Sequence, residues 1–401
     1  MYKFLKKQHN KLKYLYYVFT INQGYLFLNY KKIRNYFKGN KETFQIIKDY
    51  VLKTKKENTR KIVFVIDGDI HKVGGVEIRL QKMLKYLEFH NFAPFIIAKE
   101  NNFQSLKKYS YINFSFKNYL SLKFFTKIIK KIAPEYVEIQ LKYKSPKILA
   151  YISEKQIKCL KKITKIGVFF HSIQPFLLEE QIKSFDNIFS VYADWLKKFK
   201  NLQNKIYKIP NFITLQKNSW KYSGQTKILY ISRLSYDKRQ CLYNLLSLCK
   251  GYNYSIDIAG SGEEKEFIRN IKDFALTNNI NINFIGEIST IEYLNKNLNN
   301  ILFVAGVGQV IFEAASFNIP AFVTTHRKNA AFSQFVTKDN VQIITTYNCV
   351  IKTLKLFGCG LNDFFADIPN NLEKYSVKDY FEKNYSTDKV MRVYIDILQR
   401  K

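Results

Sequence analysis

The stretch from Ala305 to Val323, AGVGQVIFEAASFNIPAFV, has the makings of an anion site. It reads as a strand end, a glycine turn, a short helix and a second strand. Gly306 and Gly308 carry no Cβ, so the backbone there can come close to a ligand. The helix expected from Gln309 to about Phe317 begins where these glycines end. Its first amides, at Gln309 and Val310, lack intrahelical partners, and the helix dipole makes that end slightly positive. Such an end binds phosphate. Glu313 follows one turn later on the same helix face as Gln309, and a carboxylate just behind a phosphate site suits ribose hydroxyls. The chemistry expected here is nucleotide binding.

Two cations accompany that segment. In KILYISRLSYDKRQ, Arg233 closes a strand and Lys238 opens the next helix. Ligands of parallel sheets bind at that edge. A guanidinium fork and an ammonium point charge there would bracket a pyrophosphate; alone the pair reads as solvated loop cations, and it is the company of the Ala305–Val323 segment that favours the pyrophosphate. Gly260 and Gly262 follow the strand YSIDI, either as a second phosphate loop or as a tight strand-to-helix turn. Earlier in the chain, Gly74 and Gly75 precede a helix whose first turn holds Glu77. Glu77 suits the positive helix end or a cap; alternatively, this glycine loop faces a donor's phosphate or an acceptor. His171 ends the strand KIGVFF, again at a carboxyl edge. Asp67-Gly-Asp69 imitates a metal-binding pair but reads as turn chemistry, and no His/Cys cluster suggests a transition metal.

These residues need strands and helices to hold them. KIVFVI, FAPFIIA, YVEIQL, KIGVFF and NIFSVY form one series of strands. KILYIS, YSIDIAG, INFIG, NILFVAG and IPAFVTT form a second. Continuous apolar runs of this kind belong to parallel sheets covered on both faces. Two series alternating with helices imply two Rossmann-like, doubly wound α/β domains. The expected boundaries are a basic, aromatic helical extension at 1–60, a first domain at 61–214, a second at 215–376 and a C-terminal helix at 377–401.

A chain of 401 residues suits two domains. Its formal net charge of +33 points to a polyanionic partner or to a lysine-rich, AT-biased composition. No nucleic-acid recognition motif accompanies the charge, so nucleic acid is not an expected partner. No apolar run is long enough to span a bilayer, and Leu15–Tyr30, interrupted by Thr20, Asn22, Gln23 and Gly24, lacks a signal-peptide cleavage site. Residues 1–60 suit an anionic membrane surface or a helical hairpin packed on the neighbouring domain. The odd set of cysteines (Cys159, Cys241, Cys249, Cys349 and Cys359) reads as buried free thiols in a reducing cytoplasm.

Taken in order, GGVE at Gly74–Glu77, the strand-end His171, IPN at Ile209–Asn211, SRLSYDK at Ser232–Lys238 and GQVIFEAASFNIPAFV resemble the GT-B glycosyltransferases, most of all the retaining family 4 type of bacterial surface polysaccharide and lipooligosaccharide synthesis. The resemblance covers about Lys61 to Val323. It implies two Rossmann-like domains facing each other across a cleft, with a nucleotide sugar, UDP- or GDP-linked, held mainly by the second. Arg233 and Lys238 would hold the pyrophosphate and stabilise the leaving diphosphate. Glu313 would take the ribose, and Gly260, Gly308, Gln309 and Val310 would complete the donor site. Gly75 would approach the donor phosphate, with Gly74 and Glu77 on the acceptor side. His171 would line the sugar or touch the acceptor. No cofactor or metal is implied; the acceptor would be a glycan or glycolipid, reached by a cytoplasmic enzyme peripheral on the inner face of the membrane. Two departures stand out. Ala305 replaces the first glutamate of the family's Glu-x7-Glu motif, and Phe212 follows Asn211 where glycine is usual. The first of these motivates a second expectation, a catalytically silent GT-B scaffold of a polysaccharide assembly complex.

Overall fold

The computed structural model describes residues 41–70, 75–101, 106, 108–113, 119–141, 154–171, 179–192, 199–260, 262, 265–326, 328, 332–349, 359–368 and 370–400. The chain divides into two compact units, Met1–Ile209 with Ile397–Lys401, and Pro210–Asp396.

The first unit holds one parallel sheet: β1 (Arg60–Ile70), β2 (Phe92–Asn101), β3 (Ser110–Asn113), β4 (Tyr136–Leu141), β5 (Lys165–Phe170), β6 (Asn187–Ser190) and β7 (Ile206–Lys208). Their order is β3-β2-β1-β4-β5-β6-β7. The chain therefore runs outwards from β1 to one edge, then returns to the other side of β1 at β4, which makes a topological switch point. Apolar runs such as KIGVFF sit in the middle because both sheet faces are covered; in β5 every residue but Lys165 is buried. Asp67-Gly-Asp69, expected as a turn, is instead the end of β1. Its register against β2 shifts between Ile66 and Asp69 and then resumes, with Asp69 opposite Glu100. A glycine inside a strand accommodates such a bulge. The basic helix Lys41–Lys56 precedes β1; the rest of the expected N-terminal extension, 1–40, lies outside the described residues.

The second unit repeats the plan. Its strands β8 (Lys227–Ile231), β9 (Ser255–Ala259), β10 (Asn281–Gly286), β11 (Ile301–Gly306), β12 (Ala321–Val323) and β13 (Gln334–Phe335) lie in the order β10-β9-β8-β11-β12-β13. All pairs are parallel except β12 with β13. Period-two alternation explains the solid apolar runs. Leu229, Val304, Ala321 and Val323 belong to one core cluster, and Ile228, Tyr230, Phe303, Ala305 and Phe322 to another. The switch point falls between β8 and β11, so the loops that leave these two strands part from each other at one edge. The helix Gln309–Ser316 ends a residue earlier than expected, because Asn318 at φ 62° takes the left-handed conformation that stops it. Phe312 on this helix packs edge-on against Phe381 and Tyr385, at 5.0 and 5.3 Å, which ties it to the helix Lys378–Tyr385. The segment expected as one C-terminal helix is two, Lys378–Tyr385 and Thr387–Gln399, and the first of them belongs to the core of the second unit through Phe381 and Tyr385.

Candidate functional site

In the second unit the loops carrying the expected donor residues leave the carboxyl ends of β8, β9 and β11. Gly306 pairs with Ile231 in the last register of β11 against β8. The GVG turn and the SRLSYDK loop therefore start side by side at the switch point. Gly308 has φ 65° and ψ −125°, a conformation open to glycine, and it leads into the helix Gln309–Ser316, whose N-terminus has no side-chain cap. Its own N–H goes elsewhere, to the Cys349 carbonyl at 3.0 Å.

The two Gly-x-Gly glycines answer to close backbone approach as well as to turn geometry. A Cβ on Gly260 would lie 1.8 Å from the Ser232 carbonyl oxygen, and one on Gly262 would lie 1.8 Å from that of Leu234. The loop after β9 is thus pressed against the loop that bears Arg233. Leu234 is buried beneath it, while Arg233 is exposed and Lys238 half-buried.

Lys238 closes the short 3-10 turn Tyr236–Lys238. Its ammonium lies 3.3 Å from Nε2 of His326, and Nδ1 of the same ring lies 3.4 Å from Sγ of Cys241. An ammonium can only donate, so Nε2 is the acceptor and the ring proton is on Nδ1, facing sulfur. His326 and Cys241 were not among the expected site residues. The signal for His326 was present, since it closely follows β12 as His171 follows β5.

Glu313 is 3% exposed, and Gln309 is 6% exposed. The Gln309 amide nitrogen donates to Glu313 Oε1 at 3.4 Å and to the Phe212 carbonyl at 3.2 Å. Its carbonyl oxygen is buried without a hydrogen-bond partner among the described residues, which is uncommon for a buried polar atom. Phe212 itself is a core residue, and its backbone is what touches the helix. Val310 is half-buried at the same helix start. Ala305 is fully buried within β11, in the strand rather than in the loop that follows it.

The first unit carries the remaining candidates. Gly74 lies outside the described residues. Gly75 opens the helix Gly75–Phe89, and Glu77 is buried in its first turn. His171 follows β5 with its backbone N–H 3.5 Å from the Leu141 carbonyl. Its ring stacks on Phe169 at 4.7 Å and meets the Gln140 side chain through Nε2. Arg79, also buried, lays its guanidinium 4.2 Å over the other ring of that pair, Phe169, and donates to the Ile209 carbonyl at 3.0 Å. That bond joins the helix to the start of the IPN landmark. Arg79 and the buried pair Glu138 and Gln140 were also missed. Their signal was two polar residues inside the otherwise apolar strand YVEIQL.

No family model matches the chain, and no curated protein matches it. Solved structures do. A glycosyltransferase from Rickettsia africae ESF-5 is 16% identical, with 86% of this chain and 100% of that one covered and a TM-score of 0.60. The lipopolysaccharide outer core galactosyltransferase WaaB is 14% identical over 84% of this chain and 99% of its own, with a TM-score of 0.58. Anabaena HepE in complex with UDP is 12% identical, again over 84% and 99%, with a TM-score of 0.61. At such identities the likeness is one of fold. Two parallel-sheet Rossmann-like domains are the fold that this chain shares with those glycosyltransferases.

Proposed function

We propose that this chain is a GT-B glycosyltransferase of the retaining, family 4-like kind, which moves a sugar from a nucleotide donor to a lipid-linked or lipooligosaccharide acceptor. The observation that carries the reading is the meeting of two loops at the switch point of the second sheet. One is cationic, with Arg233 and Lys238; the other is the glycine turn and uncapped helix start at Gly308. HepE binds UDP and, in a further structure, UDP-glucose, which supports a uridine donor over a guanosine one.

In this reading an acceptor hydroxyl oxygen forms the new bond to the anomeric carbon as the bond from that carbon to the diphosphate breaks. The bonding electrons leave with the diphosphate, and the acceptor's proton passes to it. Arg233 and Lys238 stabilise the charge that develops on the leaving oxygens, and the amides at Gln309 and Val310 hold a phosphate. Glu313 accepts hydrogen bonds from the ribose, with Gln309 holding its carboxylate in place. Gly260 keeps the loop after β9 close to the phosphates. Gly75 approaches the donor phosphate, Gly74 and Glu77 serve the acceptor, and His171 lines the sugar or touches the acceptor. Cations and a helix end do the work for which other transferases use a divalent ion.

The basic surface supports docking on the anionic inner face of the cytoplasmic membrane, with screening by salt. Lys48, Lys53, Lys55 and Lys56 are exposed on the helix Lys41–Lys56. Among the described residues no helix is long and apolar enough to cross a membrane.

Ala305 favours a second reading, a silent scaffold, since a buried strand alanine offers a donor sugar no carboxylate. A panel of nucleotide sugars separates the two. The transferase reading expects one donor to raise the melting temperature by mass action and to be consumed with an acceptor glycolipid. Correct folding with neither effect across the panel favours the scaffold.

A further inference from the structure

Asn348 and Cys349 both hold the left-handed conformation, each at φ 54°. Among the described residues no other two neighbours do so. Asn58, Asn91, Asn279 and Asn318 take it singly, each two residues past the end of a helix, where it stops the helix. Asn348 stands in the same place after the helix Val341–Thr346. A helix stop does not require the second residue. Cys349 carries a Cβ and is held there at a cost. Such strain persists only where the surroundings impose it, and it collects at functional sites.

What the left-handed Cys349 provides is a direction for its carbonyl. The Gly308 N–H donates to that carbonyl at 3.0 Å. Gly308, at φ 65° and ψ −125°, leads directly into the helix Gln309–Ser316. A Cβ on it would lie 3.9 Å from the Asn348 carbonyl oxygen, so the two backbones lie against each other. The Asn348 side chain reaches another segment, where its Oδ1 accepts the Asn211 N–H at 3.4 Å. Gln309 is tied to that same segment through the Phe212 carbonyl, at 3.2 Å. Three stretches far apart in sequence close on one turn, with Cys349 fully buried among them.

A helix end holds an oxyanion only while its amides point within hydrogen-bond range. Fixing the Gly308 N–H fixes the peptide that precedes those amides. We infer that Asn348 and Cys349 are positioning residues for the nucleotide diphosphate: their left-handed backbone holds the Gly308 turn so that the Gln309 and Val310 amides face the phosphate. The phosphate half of this inference rests on the transferase reading; the hold on Gly308 does not.

The test uses the full chain and two readouts. The first is hydrogen exchange of the Gly308 amide, with 15N on glycine and 13C on the valine carbonyl. Only Gly74 and Gly308 follow a valine, and Gly74→Ala tells the two signals apart. The second is the ratio of uridine to UDP dissociation constants, which isolates what the diphosphate adds. Cys349→Val puts a β-branched residue where φ is positive, which it cannot sustain. Gly308 exchange is expected to quicken at least about tenfold while other glycine amides keep their rates, and the ratio to fall at least about tenfold. Cys349→Gly, which keeps the conformation, restores both readouts although it empties core volume and lowers Tm. Asn279→Ala strains the same conformation at an exposed turn elsewhere; it lowers Tm and leaves both readouts alone. If Cys349→Val fails to fold, Asn348→Ala against Asn348→Gly makes the same comparison, since both lose the Asn211 contact and only alanine is strained. Gly308 exchange unprotected in the wild type, or equally slow in Cys349→Val and Asn348→Ala, overturns the inference. So does a released Gly308 with an unchanged ratio, or equal losses in Cys349→Gly. Exchange that follows the substitutions in a protein binding UDP no better than uridine keeps the hold on Gly308 and removes its phosphate role together with the transferase reading.

Discussion

Replacing Gly262 with alanine should damage nucleotide binding through a backbone it does not belong to. The added Cβ would lie 1.8 Å from the Leu234 carbonyl oxygen, 2.6 Å from its carbon and 2.9 Å from its Cβ. Ordinary contact requires these atoms to part by about 1.5 Å. Leu234 is buried and cannot swing away, so the strain passes along the loop to Arg233. Overpacking of this kind costs about 1–3 kcal/mol, a fall of several degrees in Tm. Misplacing a positioning group by about 1 Å costs on the order of a hundredfold in turnover, and UDP affinity should fall at least roughly tenfold with it. Gly224→Ala is the control. It has φ 82° and nothing within 4 Å, so it strains the backbone and lowers Tm without touching the loop. Calorimetric titration of UDP into both variants decides the matter. Wild-type affinity in Gly262→Ala, or an equal loss in Gly224→Ala, would mean that the loop after β9 does not position Arg233.

Other outcomes follow from the same geometry. Glu313→Ala should weaken UDP binding by about ten- to a hundredfold, the loss of charge-assisted hydrogen bonds to two hydroxyls; unchanged affinity removes the ribose role. Of the free cysteines only Cys159 is exposed, which corrects the expectation that all are buried. A disulfide reagent at neutral pH should therefore label Cys159 at once and Cys249 only on unfolding, since burial pushes the Cys249 thiol up to about 12. The hydroxyl of Tyr375, donating at 2.7 Å, holds the Asp367 carboxyl below its ordinary value, with help from Lys374 at 3.2 Å. A lowered folded pKa gives stability that is present above the unfolded value and lost as pH falls through the folded one. The Tm difference between wild type and Asp367→Asn should therefore be steady at neutral pH and shrink below about pH 4. A constant difference down to strongly acid pH would contradict it.

Much of the fold was legible because parallel strands covered on both faces leave unbroken apolar runs. KIGVFF and KILYI, and the glycine that ends NILFVAG, mark strand ends to within a residue or two. The loops of the second unit were legible for the same reason, since Gly260, Gly262 and Gly308 each interrupt a strand-to-helix junction. Short strands such as Tyr111's SYIN and the Gln334–Phe335 pair hold too few residues to show a period. Asp67-Gly-Asp69 has turn composition, yet pairing of Asp67 with Leu141 of β4 and of Asp69 with Glu100 of β2 keeps it in the strand. The missed site residues depend on long-range contact. His326 meets Cys241 only because the sheet brings a segment 85 residues away beside it. Glu138 and Gln140 lay in a correctly expected strand, but only the fold puts an imidazole against them.

On the proposed function the second unit grips a diphosphate with Arg233, Lys238 and the helix start at Gly308. The most direct test is calorimetric titration of UDP into the intact protein and into Arg233→Ala/Lys238→Ala. Saturable binding to the wild type is expected, with a loss of at least about thirtyfold in the double variant, the equivalent of removing two charge-assisted contacts. No UDP or GDP binding to the folded wild type, or equal affinity in the double variant, would contradict it.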